Sequence, residues 1–556
     1  MGKREQLPAV TTAHAPVQQN AMGGGLEGAS RTSAEMLRWN PPIISPDSQI
    51  NRSKDIMDAR SRDSVQNDGF LTGAMHTHRD SIVGTQFRLI SMPDWEALGA
   101  TEEWADKFSQ IVESRFNLMA DSTECWFDAG GTMTFTDIIR LDVVGFGFTG
   151  EVLGTVEWLP AKGRPFRTAF QSVSPTRLCN PNNGMDEVGL SRGVEKDMYG
   201  RPMAYHIRST FPGEFWSGDL PQWKRVPAST KWGRRLVIHI KEPMQPDQTR
   251  GISDMVSVLK QMKMTKKFSD VVLQNAVVNA TYAAAIESEL PTDAIFASMG
   301  GGAGAQGFAG MLKEYMTGLT EYVNASDKIG IDGVKMPHLF PGTKLNLKSA
   351  ATPGGIGTGF EESMLRHIAA PLGMSYEQFS KDYSKTNYSS ARASMAETWK
   401  FMQARKKTVA DRKATMMFIC WLEEEINRED SVIPLPPNFD FYDPYMREAL
   451  CSCEWIGAAR GQIDETKETQ AAIMRISAGL STYQKEVALL GDDFRRVFKQ
   501  QAREKKLMEK LGLTFDLSGS KPGGSGSGQG ENGDGTDNPD DNGDTKDQQK
   551  TGGTKK

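Results

Sequence analysis

The sequence predicts an α+β chain built around long helices. Helix-period stretches recur at 52–80, 103–120, 251–289 and 391–427. Short β-like runs, separated by Gly and Pro, crowd into 134–240. Both ends are Gly-rich, polar and without periodicity. The chain has 556 residues. At about 150 residues per domain this is material for three or four structural units, or for one extended subunit of several parts.

In chain order, residues 1–50 are rich in Ala, Gly, Pro and polar side chains, and 1–34 reads as a flexible N-terminal arm. Its start, MGKREQLPAVTT, has charge but no apolar core, so it is not a secretory signal, and Gln6 departs from the myristoylation pattern. In the 103–120 helix, Trp104, Phe108, Ile111 and Phe116 lie close to one stripe. TAFQSV, MAYHI and LVIHI are the β-like runs of the mixed region. The helical stretch from 251 is broken at Pro291, and a Gly-rich segment and a helix near 308–323 follow. GVKMPHLF and TKLNLKS then read as strands joined at Pro341 and Gly342. FEESMLRHIAAPL is a short helix stopped by Pro371 and Gly373, with Gly373 a candidate hinge. A polar-aromatic loop, MSYEQFSKDYSKTNYSS, leads into the last long helix. There Met395, Met402, Val409 and Met416 repeat every seven residues, with Trp399 one turn from the first. Unbroken, this helix would be about 55 Å long. Such a length suits a tall subunit packed beside copies of itself, and equally an ordinary long core helix. Residues 516–556 contain almost no apolar side chains and read as a disordered, acidic, Gly-rich tail.

Composition excludes several functions. Lys and Arg total 65 against 70 Asp and Glu, a net charge of −5, which rules out binding nucleic acid through bulk positive charge. No run approaches ~18 apolar residues, so no membrane span is expected. Cys125, Cys179, Cys420, Cys451 and Cys453 are too few for a disulfide framework and imply a reducing compartment. Cys451 with Cys453, and His76 with His78, lack further ligands at zinc spacing, so no metal and no cofactor is expected.

Two GxGxxG matches occur, at Gly145, Gly147, Gly150 and at Gly302, Gly304, Gly307. A dinucleotide site needs a strand before the first Gly and a helix after the last. EVLGTVEWLP, after the first match, reads as strand, and the second follows only a weak FASM run. A nucleotide-binding enzyme built on either segment is the minor alternative. No GxxxxGK[ST] loop, HExxH or GxSxG elbow is present, so the chain is not read as a translocating ATPase or as an enzyme.

Three segments carry a resemblance: RSRDSVQNDGFLTGAMHTHRDSIVGTQFRL (60–89), FSKDYSKTNYSSARASMAETWKFMQARK (379–406) and RGQIDETKETQAAIMRISAGLSTYQKEVALLGDDFRRVFKQQARE (460–504). They resemble the lambda-like portal proteins of tailed bacteriophages, in family order, across roughly 35–505. The resemblance implies a homo-oligomeric ring, a dodecamer in most of the family, at one capsid vertex of the virion, assembled in the host cytoplasm. Such a head-tail connector passes double-stranded DNA during packaging and ejection. It meets the terminase large subunit, the major capsid protein and the head-completion or neck proteins, and no membrane. A different virion ring or adaptor protein is the runner-up.

The portal fold it implies has wing, stem, clip and crown regions. Mapped by order, the wing takes 35–250, a stem helix 251–285 and the clip 286–348. A helix at 349–373 precedes the tunnel loop at 374–389, which is followed by the long helix at 390–428. A wing return takes 429–459 and crown helices 460–515. The tunnel-loop candidates are Tyr376, Tyr383, Lys381, Lys385 and the following Arg392, which could instead pair with Glu397 or cap a carbonyl. Asp382 and Glu377 would moderate the cations. Tyr376, Phe379, Tyr383 and Tyr388 would stiffen the loop or pack it on a neighbour, or, in the plainer reading of a surface loop, dock on the chain's own helices. Lys260, Lys263, Lys266 and Lys267 form either a solvated helix face or a stem face toward the channel or the adjacent subunit. Arg405, Lys406, Lys407, Arg412 and Lys413 are expected to form an inter-subunit or helix-surface ion network.

Overall fold

The structure, a computed structural model, describes residues 26–282 and 356–513 apart from short interruptions at 31–32, 160–162, 212–213, 215–221 and 462–463, together with residue 317 and the pairs 330–331 and 334–335. The arm before residue 26, the second GxGxxG match, most of the 286–348 segment and the tail from 514 lie outside the described residues. The chain clusters into two compact units, 1–494 and 495–556.

The first unit opens with α1 (Pro46–Asn51), α2 (Lys54–Asn67) and α3 (Gly69–Ile82). The expected 52–80 helix is therefore two helices. Asp68 breaks it, taking extended backbone and accepting hydrogen bonds from the amides of Phe70 and Leu71 as the cap of α3. β1 (Arg88–Ser91) follows, then α4 (Glu102–Ala120), capped by Thr101. The inner face of α4 is Phe108, Val112 and Phe116, with Trp104 and Ile111 at its margin.

α5 (Phe135–Thr149) starts at a Thr134–Asp137 capping box and stops at Gly150, whose φ of 72° is left-handed. β2 (Glu151–Trp158) begins at once and is the centre of a sheet ordered β3 (Thr168–Val173), β2, β8 (Val237–Lys241). β4 (Leu190–Ser191), β5 (Val194–Lys196), β6 (Pro202–Arg208) and β7 (Trp223–Pro227) form a four-stranded antiparallel sheet before β8 (Val237–Lys241). The expected β-like runs thus coincide with β3, β6 and β8.

Next come α6 (Leu259–Tyr282), the backbone pair β9 (Gly330–Ile331) and β10 (Val334–Lys335), α7 (Ile356–Ala369) and the short α8 (Tyr376–Ser380). The long helical run is α9 (Tyr388–Arg405), a π turn at Lys406–Asp411, and α10 (Arg412–Ile426). α11 (Pro444–Leu450) precedes β11 (Cys453–Ile456), which pairs antiparallel with β1, Arg88 opposite Ile456. α12 (Glu465–Ser477), α13 (Tyr483–Leu489) and α14 (Phe494–Leu511) close the described chain, with α14 almost wholly in the second unit.

The core of the first unit is aromatic. Phe116 touches Phe127, Phe135, Phe418, Trp421 and Trp455 with ring centroids 5.1–5.7 Å apart. A smaller core under the four-stranded sheet contains Leu178, Val194, Tyr205 and Ile207.

Charge is buried beside these cores. Glu151 accepts from Arg250 at 2.6 Å and lies 3.4 Å from Lys54, which is 2.8 Å from Asp58. Burial would raise the Glu151 pKa, but Arg250, Lys54 and a hydrogen bond from His239 outweigh it and hold the carboxyl well below its usual range. The cation cluster at 405–413 is drawn inward as well, which corrects the expected surface network. Lys406 donates to Asp411 at 2.7 Å and to the Trp455 carbonyl at 2.8 Å. Lys413 pairs with Asp142, and Arg405 with Asp254 at 2.7 Å. Only Lys407 and Arg412 stand exposed. Within the π turn Lys406 is buried, between Asp411 of the same turn and the Trp455 carbonyl of the last strand. Among the described residues no helix is long and apolar enough to cross a membrane, and no cluster of His, Cys, Asp and Glu could hold a metal ion.

Candidate functional site

The 374–389 segment is partly helical and firmly based. Gly373, at φ 64°, packs so closely on Phe401 that a Cβ would sit 2.3 Å from the ring. That turn is fixed by packing, so the candidate hinge is a close-approach point. Ser375 then opens α8 with a capping box, its Oγ accepting from the Gln378 amide at 3.3 Å. Gln378 Oε1 also accepts from Thr398 Oγ1 at 2.7 Å, tying α8 to α9. Phe379 is buried and stacks on Phe70 at 5.8 Å, so this aromatic packs within its own chain.

Beyond α8 the side chains turn outward. Lys381, left-handed at φ 60°, is exposed and donates to Thr77 Oγ1 at 3.3 Å. Asp382 accepts from the Ser384 amide at 3.0 Å, and bonds from Ser384 hold its carboxyl below the usual range. Tyr383 and Tyr388 are each 52% exposed. Lys385 donates to Glu362 of α7 at 2.5 Å, and Glu362 also meets Arg366 at 3.2 Å. Arg366 in turn lies 5.0 Å over the half-buried Tyr376 ring. Lys385, Glu362, Arg366 and Tyr376 are therefore one connected group. Glu362 was not identifiable from sequence as the partner of Lys385, because 23 residues separate the two. The only local signal was the Glu362–Arg366 spacing of four on one helix face.

Arg392 sits apart from this group. It is exposed and shares a small pocket with Trp399, Arg460 and Glu468. Asp464, held low by hydrogen bonds from Lys467, also feels its charge. Among the described residues Arg392 forms no ion pair with Glu397. Lys260, Lys263, Lys266 and Lys267 are exposed on α6, while Met262 and Thr265 between them are buried. Lys266 donates to the Asn67 carbonyl at 2.7 Å, and α6 meets α7 through Phe268 and Phe360 at 5.5 Å. The α6 lysines and the loop cations thus stand on opposite sides of α7 in the chain order, joined through it.

The first GxGxxG match runs helix to strand. Gly145 and Gly147 lie in the last turns of α5, Gly150 caps it, and β2 follows. A phosphate cradle needs the reverse order and a helix N-terminus aimed at the ligand.

The molecule is thus a mixed helix and sheet protein whose outward-facing loop is tied back to its own helices, and its sequence relatives define its class. The family model described as phage portal protein, lambda family, matches residues 32–406. Portal protein B of Escherichia phage lambda is 40% identical over 487 residues, 87% of this chain and 90% of the relative. The portal protein of Escherichia phage N15 is 40% identical over 88% of this chain and 90% of its own length. A chain from the neck of an empty gene transfer agent particle, computed with C6 symmetry, aligns over 83% of this chain and 98% of its own, at 13% identity and a TM-score of 0.37. The chain is a phage portal protein, a member of the lambda family. The resemblance carried by the three sequence segments is borne out.

Proposed function

We propose that about twelve copies of this chain close into a ring at one vertex of the capsid, with double-stranded DNA passing through its centre during packaging and ejection. The terminase large subunit docks first, through the 286–348 clip, and head-completion or neck proteins replace it. The major capsid protein surrounds the ring, and the subunit itself catalyses nothing. In this reading 374–389 is the tunnel loop, and the wing, stem and crown names apply as mapped by order.

The observation that carries the proposal is the 40% identity, over 87% of the chain, to a protein named as a portal protein. The loop supports it physically. Each Lys that neutralises a phosphate releases counterions and adds affinity, and a ring multiplies one residue into a belt. A conduit must let DNA slide. Glu362 occupies Lys385 within the chain, which leaves Lys381 as the more available loop cation beside Asp382.

Mass measurement and axial negative-stain imaging of the purified full chain test the proposal. A hollow ring wide enough for a duplex is expected. A stable monomer at micromolar concentration in assembly buffer would overturn it.

A further inference from the structure

A cleft of about 1340 Å³ opens beside the β6–β7 side of the four-stranded sheet, lined also by β8, α10 and α11. Seven Lys and Arg side chains line it against two carboxylates, Asp411 and Glu448, in a chain whose net charge is −5. Three of the seven are near acids: Arg225 at 2.6 Å from Glu195, Lys407 at 3.9 Å from Asp411, and Arg447 at 3.9 Å from Glu448. Arg201, Lys231, Arg235 and Arg412 are exposed and have no ion pair among the described residues. Gathered like charges repel, and an anionic occupant relieves them.

The same cleft is apolar inside. Met416 and Ile419 of α10 are half-buried in its lining, and Val237 is fully buried. At its rim Trp232, Met203 and Tyr442 are 57%, 52% and 44% exposed. The β5–β6 turn that leads into Arg201 adds Met198 and Tyr199, 87% and 86% exposed. Large apolar side chains clustered in the open around a groove mark an interaction site.

We infer that this cleft docks an acidic, amphipathic peptide segment of another protein. The carboxylates of such a segment meet the four unpaired cations, and its apolar side chains cover Trp232, Met203 and the α10 floor. Duplex DNA supplies the charge but presents phosphates, with nothing apolar to cover the floor. The acids at 531–547 of this chain are likewise interspersed with Gly, Asn and Thr and no apolar side chain. The inference concerns residues away from the loop and stands whether or not copies close into a ring.

The test uses the purified full chain and a fluorescein-labelled peptide of about 16 residues, with Leu at helical i, i+3, i+4 and i+7 spacing and Glu elsewhere. Anisotropy should show saturable binding. Replacing Glu by Gln, or Leu by Glu, should weaken it about tenfold or more. The Arg235→Glu/Arg412→Glu chain should lose about tenfold in affinity at unchanged melting temperature, since both side chains are exposed. Trp232→Ala, which leaves the charge alone, should also weaken it. Absence of saturable binding, binding untouched by either variant, or equal binding of a poly-Glu peptide would overturn the inference. So would tighter binding of a short DNA duplex through the same residues, or cross-links showing a second copy already seated in the cleft.

Discussion

Lys385 Nζ donates to Glu362 Oε1 at 2.5 Å, joining the tip of the candidate tunnel loop to α7 across 23 residues of chain. The hydrogen bond raises the pKa of Lys385 and lowers that of Glu362. Both changes favour the ion pair over free side chains. A cation thus positioned has its charge partly answered before any phosphate arrives.

Charge reversal at the loop tests that arrangement. Lys381→Glu/Lys385→Glu should fold normally, since an exposed pair contributes only about 0–1 kcal/mol. Rings should assemble as in the wild type, while nuclease-protected DNA in packaging assays falls. Swapping the pair, Glu362→Lys/Lys385→Glu, should restore the loop position and part of the packaging. Unchanged packaging with correctly assembled rings would remove the loop from the mechanism.

His78 sets a pH dependence. Its ring is buried, donates from Nε2 to the Leu372 carbonyl at 2.9 Å, and meets the Phe401 edge. Burial, then the charge of Arg405, pushes its pKa down from 6.5 to about 4. The folded state therefore binds fewer protons than the unfolded one. The stability from this group is complete above 6.5 and is lost as pH falls toward 4. Asp58 acts oppositely. Burial, opposed by Lys54 and reinforced by Glu151, raises it from 3.8 to about 6, so its contribution is lost as pH rises through that window. His78→Gln removes one limb and keeps a donor for Leu372. Denaturant titrations at several pH values should show the wild type losing on the order of 3 kcal/mol relative to the variant between neutral pH and pH 4.

The glycines of the first GxGxxG match have unequal roles. At Gly145 an added Cβ meets nothing within 4 Å, whereas at Gly150 it would sit 2.1 Å from the Ile252 backbone at φ 72°. Gly145→Ala should be neutral or slightly stabilising, because Ala is the better helix former by about 1 kcal/mol. Gly150→Ala should lower the melting temperature sharply, with strain of roughly 1–2 kcal/mol from the backbone alone. Thermal melts read both, and a large loss at Gly145 would mean that the motif does more than end a helix.

What sequence could reveal here was local. Periodicity located α4, and the β-branched run after Gly150 located β2, because each is set by neighbours in the chain. The break at Asp68 was missed because no Gly or Pro marks the end of α2 before it, and the Asp68 side chain that opens α3 looks like any other polar helix residue in sequence. The pairing of β1 with β11 and the Lys385–Glu362 contact depend on residues far apart in sequence, which no spacing rule links. Of the loop candidates, sequence found the outward side chains Lys381, Tyr383 and Lys385. It allowed the loop aromatics to dock on the chain's own helices but could not say that Phe379 alone would be buried, since a loop aromatic and a core aromatic look alike until α8 and α3 meet.

The seven-residue repeat on the long helix shows the same limit and yields the last test. Met402 and Val409 are each 1% exposed, but Met395 is 38% exposed and Met416 is only half-buried. The π turn at Lys406–Asp411 inserts an extra residue, so the buried stripe resumes one position later at Ala410, Ala414, Met417 and Trp421. Lys406 and Asp411 close that turn as a buried pair at 2.7 Å, with the cation also 5.3 Å over Phe87. Removing Lys406 leaves the buried Asp411 carboxylate with only the exposed Lys407, 3.9 Å away, to answer its charge. Lys406→Met should therefore cost about 3–5 kcal/mol, while Lys406→Met/Asp411→Leu should regain most of it. A double-mutant cycle by denaturant unfolding measures the coupling. If the two single variants and the double are equally stable, the pair is incidental and packing alone holds the π turn.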